Sequence, residues 1–588
     1  MKKKLVSILL ATAMVVSLAA CGQEEAPAAS TGESTPVSEA TKASTAKEAE
    51  AETAQTETAE EVNLYGFDEP ITIKIGVSYA AATDFVFYGD ETVEDNAWMD
   101  LYKANNIIPE ILYEVDPSQE ATKLSTAIMS GYYPDVFKGT GAEYQNYVES
   151  GDVADITEAY EKYASEELKA YMTFDGGMAL ESLYVDGKLY GLPEVSDPYS
   201  GAHMMWIRQD WLDNLGFKIP TTMEELKEVA HAFTYDDPDG NGKNDTYGLA
   251  LDGINIINNS LGNTEPIFRA YGCYLGTNGL TYIEGEDGTI NWGGANSEGM
   301  KQALQDLADM YADGSIAKDF LTMDANTIFS EAGAGRCGIW FGPNWAGMNP
   351  AIDAAQNDIN AHIVAAAVPT GTSEATKAYA ASSANTVYFA SSQCENPEVL
   401  VKLWNLAVKY QNADYCTPEE YNMYFGDSAN YTGWKTSIIK GEGANGKATN
   451  LALVAALEAE DGSTLNAKQQ ENYTSMKAYI DAVEAGTFDP TDGTQQRGLS
   501  LYTVHADPKS AWSVLHTMMD HNDYQLSAYN GIPSEDVSNA STTLQKILVE
   551  KIVKVITGAE SVDSYDDFLK IWYSLGGQNA MDEANAAK

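Results

Sequence analysis

The sequence predicts an α/β protein folded into two or more lobes. Ile71-Thr72-Ile73-Lys74-Ile75-Gly76-Val77 alternates strictly, as a strand with one buried face does. Strand-like and helix-like stretches then take turns along the chain, the pattern of α/β layers with parallel-rich sheets. From Asn63 to Lys588 the chain is far longer than the roughly 250–300 residues at which one core stops growing.

Two segments precede that first strand. Lys2-Lys3-Lys4, an apolar run from Leu5 to Ala20 and the ending Leu18-Ala19-Ala20-Cys21 make an export signal over residues 1–20. The run is too short to span a bilayer, and no apolar stretch of spanning length follows it. Residues 21–62 are mostly Ala, Glu, Thr, Ser and Pro. They hold too little apolar bulk for a core and are expected to form a disordered tether.

After Ile71–Val77, Glu120–Met129 reads as a helix and Tyr133–Phe137 as a short strand ending in Gly139-Thr140-Gly141. Trp206-Ile207-Arg208 leads into a short helix, Asp210–Leu215, stopped by Gly216. Thr222 and Glu225 make a capping box for the next helix, with Leu226, Val229, Ala230 and Phe233 on one face. Tyr247–Leu251 is a strand. Ser297 is expected to cap a helix that buries Met300, Leu304, Leu307, Ala308 and Tyr311 and ends at Gly314. Gly338–Phe341, His362–Val368 and Thr386–Ala390 are strands, and Pro397 starts a helix through Leu400, Leu403, Trp404 and Ala407. Residues 410–499 read as an insertion with at least one helix, Lys468–Ala485. Leu544–Thr557 is an amphipathic helix closed by Gly558.

Between the second helix and Tyr247 lies DDPDGNGKNDTYG, Asp236–Gly248. Asp237, Asp239, Asn241 and Asp245 fall at every second position but one, where Lys243 offers its backbone carbonyl; Gly240 and Gly242 let the chain curl. Such spacing wraps a hard cation in about six oxygens, as Ca²⁺ requires. The loop matches the first half of an EF-hand, but Gly248 stands where the bidentate Glu would close it. A structural Ca²⁺ tying a helix end to a strand start is expected; the plain alternative is a polar surface turn.

A formal charge of −52 excludes nucleic acid and anionic membrane surfaces as partners. It also argues against a highly anionic ligand, unless one basic pocket overrides it. Cys273, Cys337, Cys394 and Cys416 are too scattered for zinc and leave disulfides and free thiols equally open. His516, Asp520 and His521 read as a surface cluster. Gly441–Lys447 nearly spells a phosphate loop, but Ala448 stands where Ser or Thr must hold Mg²⁺. Neither GxSxG nor HExxH occurs, and no enzymatic activity is expected.

Taken together these pieces resemble the extracellular solute-binding proteins of carbohydrate ABC importers, especially the large Gram-positive lipoprotein branch. The resemblance rests on Cys21 in a lipobox-like setting, Ile71–Val77, Tyr133-Pro134-Asp135-Val136, Gly187–Pro193 and the block Trp206–Gly248. It continues in Gly342-Pro343-Asn344-Trp345 and in Ser564–Phe568 with Leu575-Gly576. It implies a two-lobed, periplasmic-binding-protein-like fold (type II) with hinge crossovers and an interlobe ligand cleft. Residues 63–188 would form the first part of lobe 1, 189–368 lobe 2 with the calcium loop, and 369–588 the return to lobe 1. Leu189–Pro193 and the stretch near Val368–Gly371 would be the crossovers. Cys21 would carry a lipid on the outer face of the cell membrane. Permease subunits of an ABC transporter would be the protein partners of a monomeric receptor.

A carbohydrate cleft needs flat aromatics for sugar faces and a few polar groups for hydroxyls. Trp345 resembles the stacking tryptophan of maltose-binding proteins, and Trp206, Trp340, Tyr79, Asp135 and Arg208 are further ligand candidates. Thr246 stands where some calcium-binding members have Glu, and joins Asp237, Asp239, Asn241, Lys243 and Asp245 as a candidate metal ligand. The expected ligand is an oligosaccharide or related sugar. A peptide or other solute, polysaccharide degradation, or a purely structural adhesin are the other readings the residues leave open.

Overall fold

The computed structural model describes residues 62–588 except 79–89, 197–198, 200, 258–260, 277–278, 381–385, 426–432, 442–445, 530, 532 and 588. The export signal, Cys21, the tether and Tyr79 lie outside the described residues.

Among the described residues nine strands build two main sheets: β1 Ile71–Ser78, β2 Ile107–Val115, β3 Val136–Thr140, β4 Leu192–Pro193, β5 Met204–Arg208, β6 Tyr247–Leu249, β7 Cys337–Gly342, β8 Ile363–Ala366 and β9 Thr386–Ala390. The first sheet has the order β2-β1-β3-β9-β4, and the second β8-β5-β7-β6. In the first, β1 runs parallel to β2 and β3, and β9 joins antiparallel to β3 and β4. In the second, β7 is parallel to β6 and antiparallel to β5, which is also antiparallel to β8.

Each sheet has its own core. Ile73 and Ile75 of β1 point in as their alternation predicts, and meet Trp98, Phe137, Leu400 and Trp404. The second sheet is buried on both faces, so its strands read as apolar runs. Ile207, Ile339 and Phe341 face Trp211, Phe233 and Leu304, while Met204, Trp206 and Trp340 face Ile328, Trp512 and Leu515.

Helix Met223–Tyr235 carries the predicted capping box, with Thr222 and Glu225 each bonded to the other's backbone. Asn296, one residue before Ser297, is the cap of helix Ser297–Asp313; its side chain accepts from Gly299 N–H. The amphipathic helix predicted over Leu544–Thr557 is longer, Glu535–Ile556.

Two boundary expectations need correction. Leu192–Pro193 is a strand of the first sheet, so the chain leaves that sheet after it. Near Val368–Gly371 the backbone still pairs with the second body, with Met223 N–H donating to Thr370 O and Thr370 N–H to Thr221 O, both at 2.9 Å. Of residues 369–588, β9, helix Val399–Gln411 and Ile439 join the first core. Leu544, Leu548, Ile552, Phe568 and Trp572 instead pack with Trp292 and Leu304 in the second. The reason is stacking: Trp292 and Trp572 lie face to face, 3.9 Å apart at 10°. The insertion folds as helices Gly446–Ala459, Ala467–Ala485 and Gly493–His505 around a small core of Leu453, Tyr473, Met476 and Leu501.

Candidate functional site

An open α/β sheet binds ligands outside the carboxyl ends of its parallel strands, so those ends in each sheet are the places to look. In the second sheet, β6 and β7 run side by side. β7 ends in Gly342 and continues as Pro343-Asn344-Trp345, where Trp345 is 43% exposed and lies near Phe329, ring centroids 6.3 Å apart. Past β6, Asp252 N–H donates to Gly262 O, and Gly262 N–H to Phe341 O, both at 2.7 Å. That holds the Asp252 carboxylate beside the end of β7. Its carboxyl is raised from the ordinary value, first by burial and also by nearby Asp324, while the Asn255 N–H at 2.7 Å opposes the shift.

Trp206 and Trp340 face each other across the β5–β7 pair and are 0% exposed. Neither ring offers a face to a ligand, which corrects the expectation that they stack on sugar. They fix the loop that carries Trp345 instead. Trp206 Nε1–H donates to Pro343 O at 3.1 Å and Trp340 Nε1–H to Ala346 O at 3.3 Å. Gly347 is required there, because a Cβ at that position would lie 2.2 Å from the Trp206 ring.

Asp135 and Arg208 also fall elsewhere than expected. Asp135 precedes β3, at its amino end, and its Oδ2 accepts Lys74 N–H at 2.7 Å. Arg208 ends β5, which runs opposite to β7, so it sits at the far edge from Trp345. It is buried, bonded to Asp210 through Nε at 2.8 Å and Nη2 at 2.6 Å, and lies over the Trp211 ring. Both are structural ion-pair residues.

At the first sheet, a cavity of about 70 Å³ opens beside the carboxyl ends of β1 and β3. Ser78, Tyr113, Glu120, Lys138, Tyr388, Lys435 and Lys440 are among its lining residues. Register brings Lys138 directly opposite Tyr388. Burial holds the Tyr388 hydroxyl well above its ordinary range, so it stays protonated and donates to Glu194 Oε1 at 2.9 Å while accepting Lys440 N–H at 3.3 Å. Lys138 pairs with Glu120 at 3.3 Å. Tyr102 anchors the segment below, accepting Ile438 N–H at 3.0 Å. Sequence reasoning passed over Lys138, Tyr388 and Lys440, whose only signal was an isolated polar residue in or after an apolar strand.

A buried polar group ties the start of β5 to its surroundings. Arg269 Nε meets Glu265 Oε2 at 2.6 Å, Arg269 Nη2 donates to His203 O at 3.2 Å, and Nη1 donates to Lys377 O at 3.3 Å. Burial raises the Glu265 carboxyl, and Arg269 opposes that rise.

The loop 236–248 closes on itself. Gly242 N–H donates to the Asp237 carboxylate at 3.0 Å, and Asn241 Nδ2 to Asp239 at 2.7 Å and Asp245 at 3.1 Å. Asp237, Gly240 and Gly242 all take positive φ, the curl that Gly spacing predicts. Burial, followed by the neighbouring Asp237 and Asp245 carboxylates, raises the Asp239 carboxyl, while the Asn241 N–H opposes the rise. Among the described residues no group of three or more His, Cys, Asp or Glu side chains is gathered closely enough to hold a metal as it stands. Thr246 is turned away: it is buried and its hydroxyl donates to Phe233 O at 2.8 Å, so it is corrected from ligand to helix anchor. Cys273, Cys337, Cys394 and Cys416 are free thiols, and burial pushes those of Cys273 and Cys337 up to about 12.

The family model described as bacterial extracellular solute-binding protein matches residues 99–407. The chain is 27% identical over 243 residues to the fructooligosaccharide ABC transporter substrate-binding protein FusA of Streptococcus pneumoniae, covering 38% of this chain and 42% of that protein. It is 32% identical over 180 residues to the polygalacturonan/rhamnogalacturonan-binding protein YtcQ of Bacillus subtilis, covering 30% and 34% respectively. The chain thus spans less than half the length of either curated relative. Among solved structures, an EF-hand mutant of S. pneumoniae FusA in complex with fructo-nystose aligns with a TM-score of 0.57 at 16% identity, covering 88% of this chain and 98% of that one. The alginate-binding protein AlgQ2 without calcium ion aligns at 0.54 and 16% identity, covering 90% and 99%. These likenesses establish the fold.

Proposed function

Because the chain belongs to the bacterial extracellular solute-binding protein family, we propose that it is a lipid-anchored receptor. It captures an oligosaccharide between two lobes and delivers it to the permease of an ABC importer, without chemical turnover. The observation that carries this reading is Trp345, an exposed indole held at the carboxyl end of β7 by hydrogen bonds from two buried tryptophans to its loop. A rigid, exposed aromatic plane suits the C–H face of a sugar ring. Asp252, beyond the neighbouring strand end, is buried and bonded to Asn255, and braces the loop beside that strand end. Ligand touching both lobes would favour the closed form that a permease recognises. The protein is attached through lipid on Cys21 to the outer face of the membrane.

The loop 236–248 binds Ca²⁺ in this reading. Crowded Asp237, Asp239 and Asp245 carboxylates fit a hard divalent cation, with the Asn241 amide turned oxygen-inward and the Lys243 carbonyl completing the donors. Bound there, the ion offsets two of the three like charges and fixes the end of helix Met223–Tyr235 to β6.

Thermal unfolding of the protein with calcium, across a panel of oligosaccharides, tests the receptor. A ligand at 100 times its Kd adds about 2.7 kcal/mol to the native state. A sugar-dependent rise in melting temperature, with the sugar recovered intact, supports the reading. No rise with any glycan, or cleaved glycan, defeats it.

A further inference from the structure

The first sheet's cavity runs against the composition of the chain. There are 35 Lys and Arg residues against 87 Asp and Glu, yet Lys138, Lys435 and Lys440 line one space at the carboxyl ends of β1 and β3, against the single carboxylate among its described lining residues, that of Glu120, which pairs with Lys138 at 3.3 Å. Each is half-buried. Burial lowers the Lys440 ammonium from its ordinary value; Lys138 and Lys435 add to that, and Glu194 and Glu120 act against it. A group in this position gains from an arriving negative charge more than an exposed lysine does, because less water competes for it. At about 70 Å³ the cavity admits a single charged substituent and not a whole sugar ring. Among the described residues no arginine lines it, so the recognition is of charge at a point, without a fork to select a particular oxyanion geometry.

Resting on the sugar-receptor reading, we propose that this lysine-lined cavity receives the carboxylate of a uronic acid unit, making the ligand an acidic oligosaccharide. The ring bearing that carboxylate lies outside the cavity.

Titration calorimetry on the whole protein with calcium tests this, using trigalacturonate and its carboxyl-reduced, neutral counterpart. The acid is expected to bind, and to bind more weakly as salt is raised. Lys138→Met and Lys440→Met are expected to weaken it roughly ten- to a hundredfold, the worth of one charge-assisted hydrogen bond. The salt dependence of the unaltered protein stands as a second readout should a variant fail to fold. Equal affinity for acid and neutral forms, without salt dependence, overturns the inference and leaves the receptor intact. Binding of a sulfated oligosaccharide in place of the uronide overturns the carboxylate assignment. Failure of every glycan removes the receptor reading and this inference with it.

Discussion

Trp206 donates its indole N–H to the Pro343 carbonyl at 3.1 Å, two residues before the exposed Trp345. The pair divides labour between a tryptophan that holds and a tryptophan that is held. Trp345→Ala should leave the melting temperature nearly unchanged and weaken oligosaccharide binding about three- to tenfold, the worth of an aromatic contact. Trp206→Ala should destabilise the fold by roughly 3–5 kcal/mol, as large core truncations do. Denaturant unfolding and calorimetry on both variants separate the two. If Trp345→Ala bound as well as the parent protein, the stacking role would be lost.

That division was only half legible in the sequence. Aromatic residues near strand ends are visible, but which ones are buried depends on register, and Trp206 lies opposite Trp340 only once β5 pairs with β7. Lys138 likewise reads as a solvated charge until β9 places Tyr388 across from it. Local signals fared better: the alternation of Ile71–Val77 and the reciprocal bonds of Thr222 and Glu225 are complete within a few residues. The amphipathic helix Glu535–Ile556 announced a buried face but not which core would bury it; Leu544, Leu548 and Ile552 join the second. Helix Ala467–Ala485 buries few large apolar side chains, so the insertion's small core left little pattern to read.

Calcium should raise the melting temperature, and a chelator should lower it. A site filled to 100 times its Kd contributes about 2.7 kcal/mol. Asp237→Asn or Asp245→Asn should abolish most of the calcium-dependent shift, while Thr246→Val should keep it, because the Thr246 hydroxyl bonds Phe233 O. Identical scanning calorimetry traces in calcium and chelator would refute the metal site.

Removing the Arg269 guanidinium leaves Glu265 as a buried charge without its ion-pair partner. Arg269→Met should therefore cost roughly 3–5 kcal/mol, and Glu265→Gln in the same chain should recover part of that loss. Additive destabilisation in the double variant would mean that the two groups act separately, against the 2.6 Å contact between them.

Acid should weaken the fold through His505. Burial lowers its folded pKa to about 4, its ring lies parallel to that of Trp512, and Asn450 Nδ2 donates to its carbonyl at 2.9 Å. Above about pH 6.5 the imidazole is neutral in both folded and unfolded chains, and its contribution to stability is whole. As pH falls toward 4 the unfolded chain takes up a proton that the folded chain refuses, so stability drops across that window, by roughly 2–4 kcal/mol for this one group. His362 works in the other direction. Its bond to Asp507 raises its pKa, so its contribution is full below about 6.5 and is lost as pH climbs through the folded value. His505→Phe keeps the ring beside Trp512 and removes the titration. Urea unfolding at pH 7.5 and pH 5 should then show a smaller acid-side loss than in the parent chain. An unchanged loss would place the acid sensitivity in groups other than His505, the carboxylates and His516, whose pKa burial also lowers, among them.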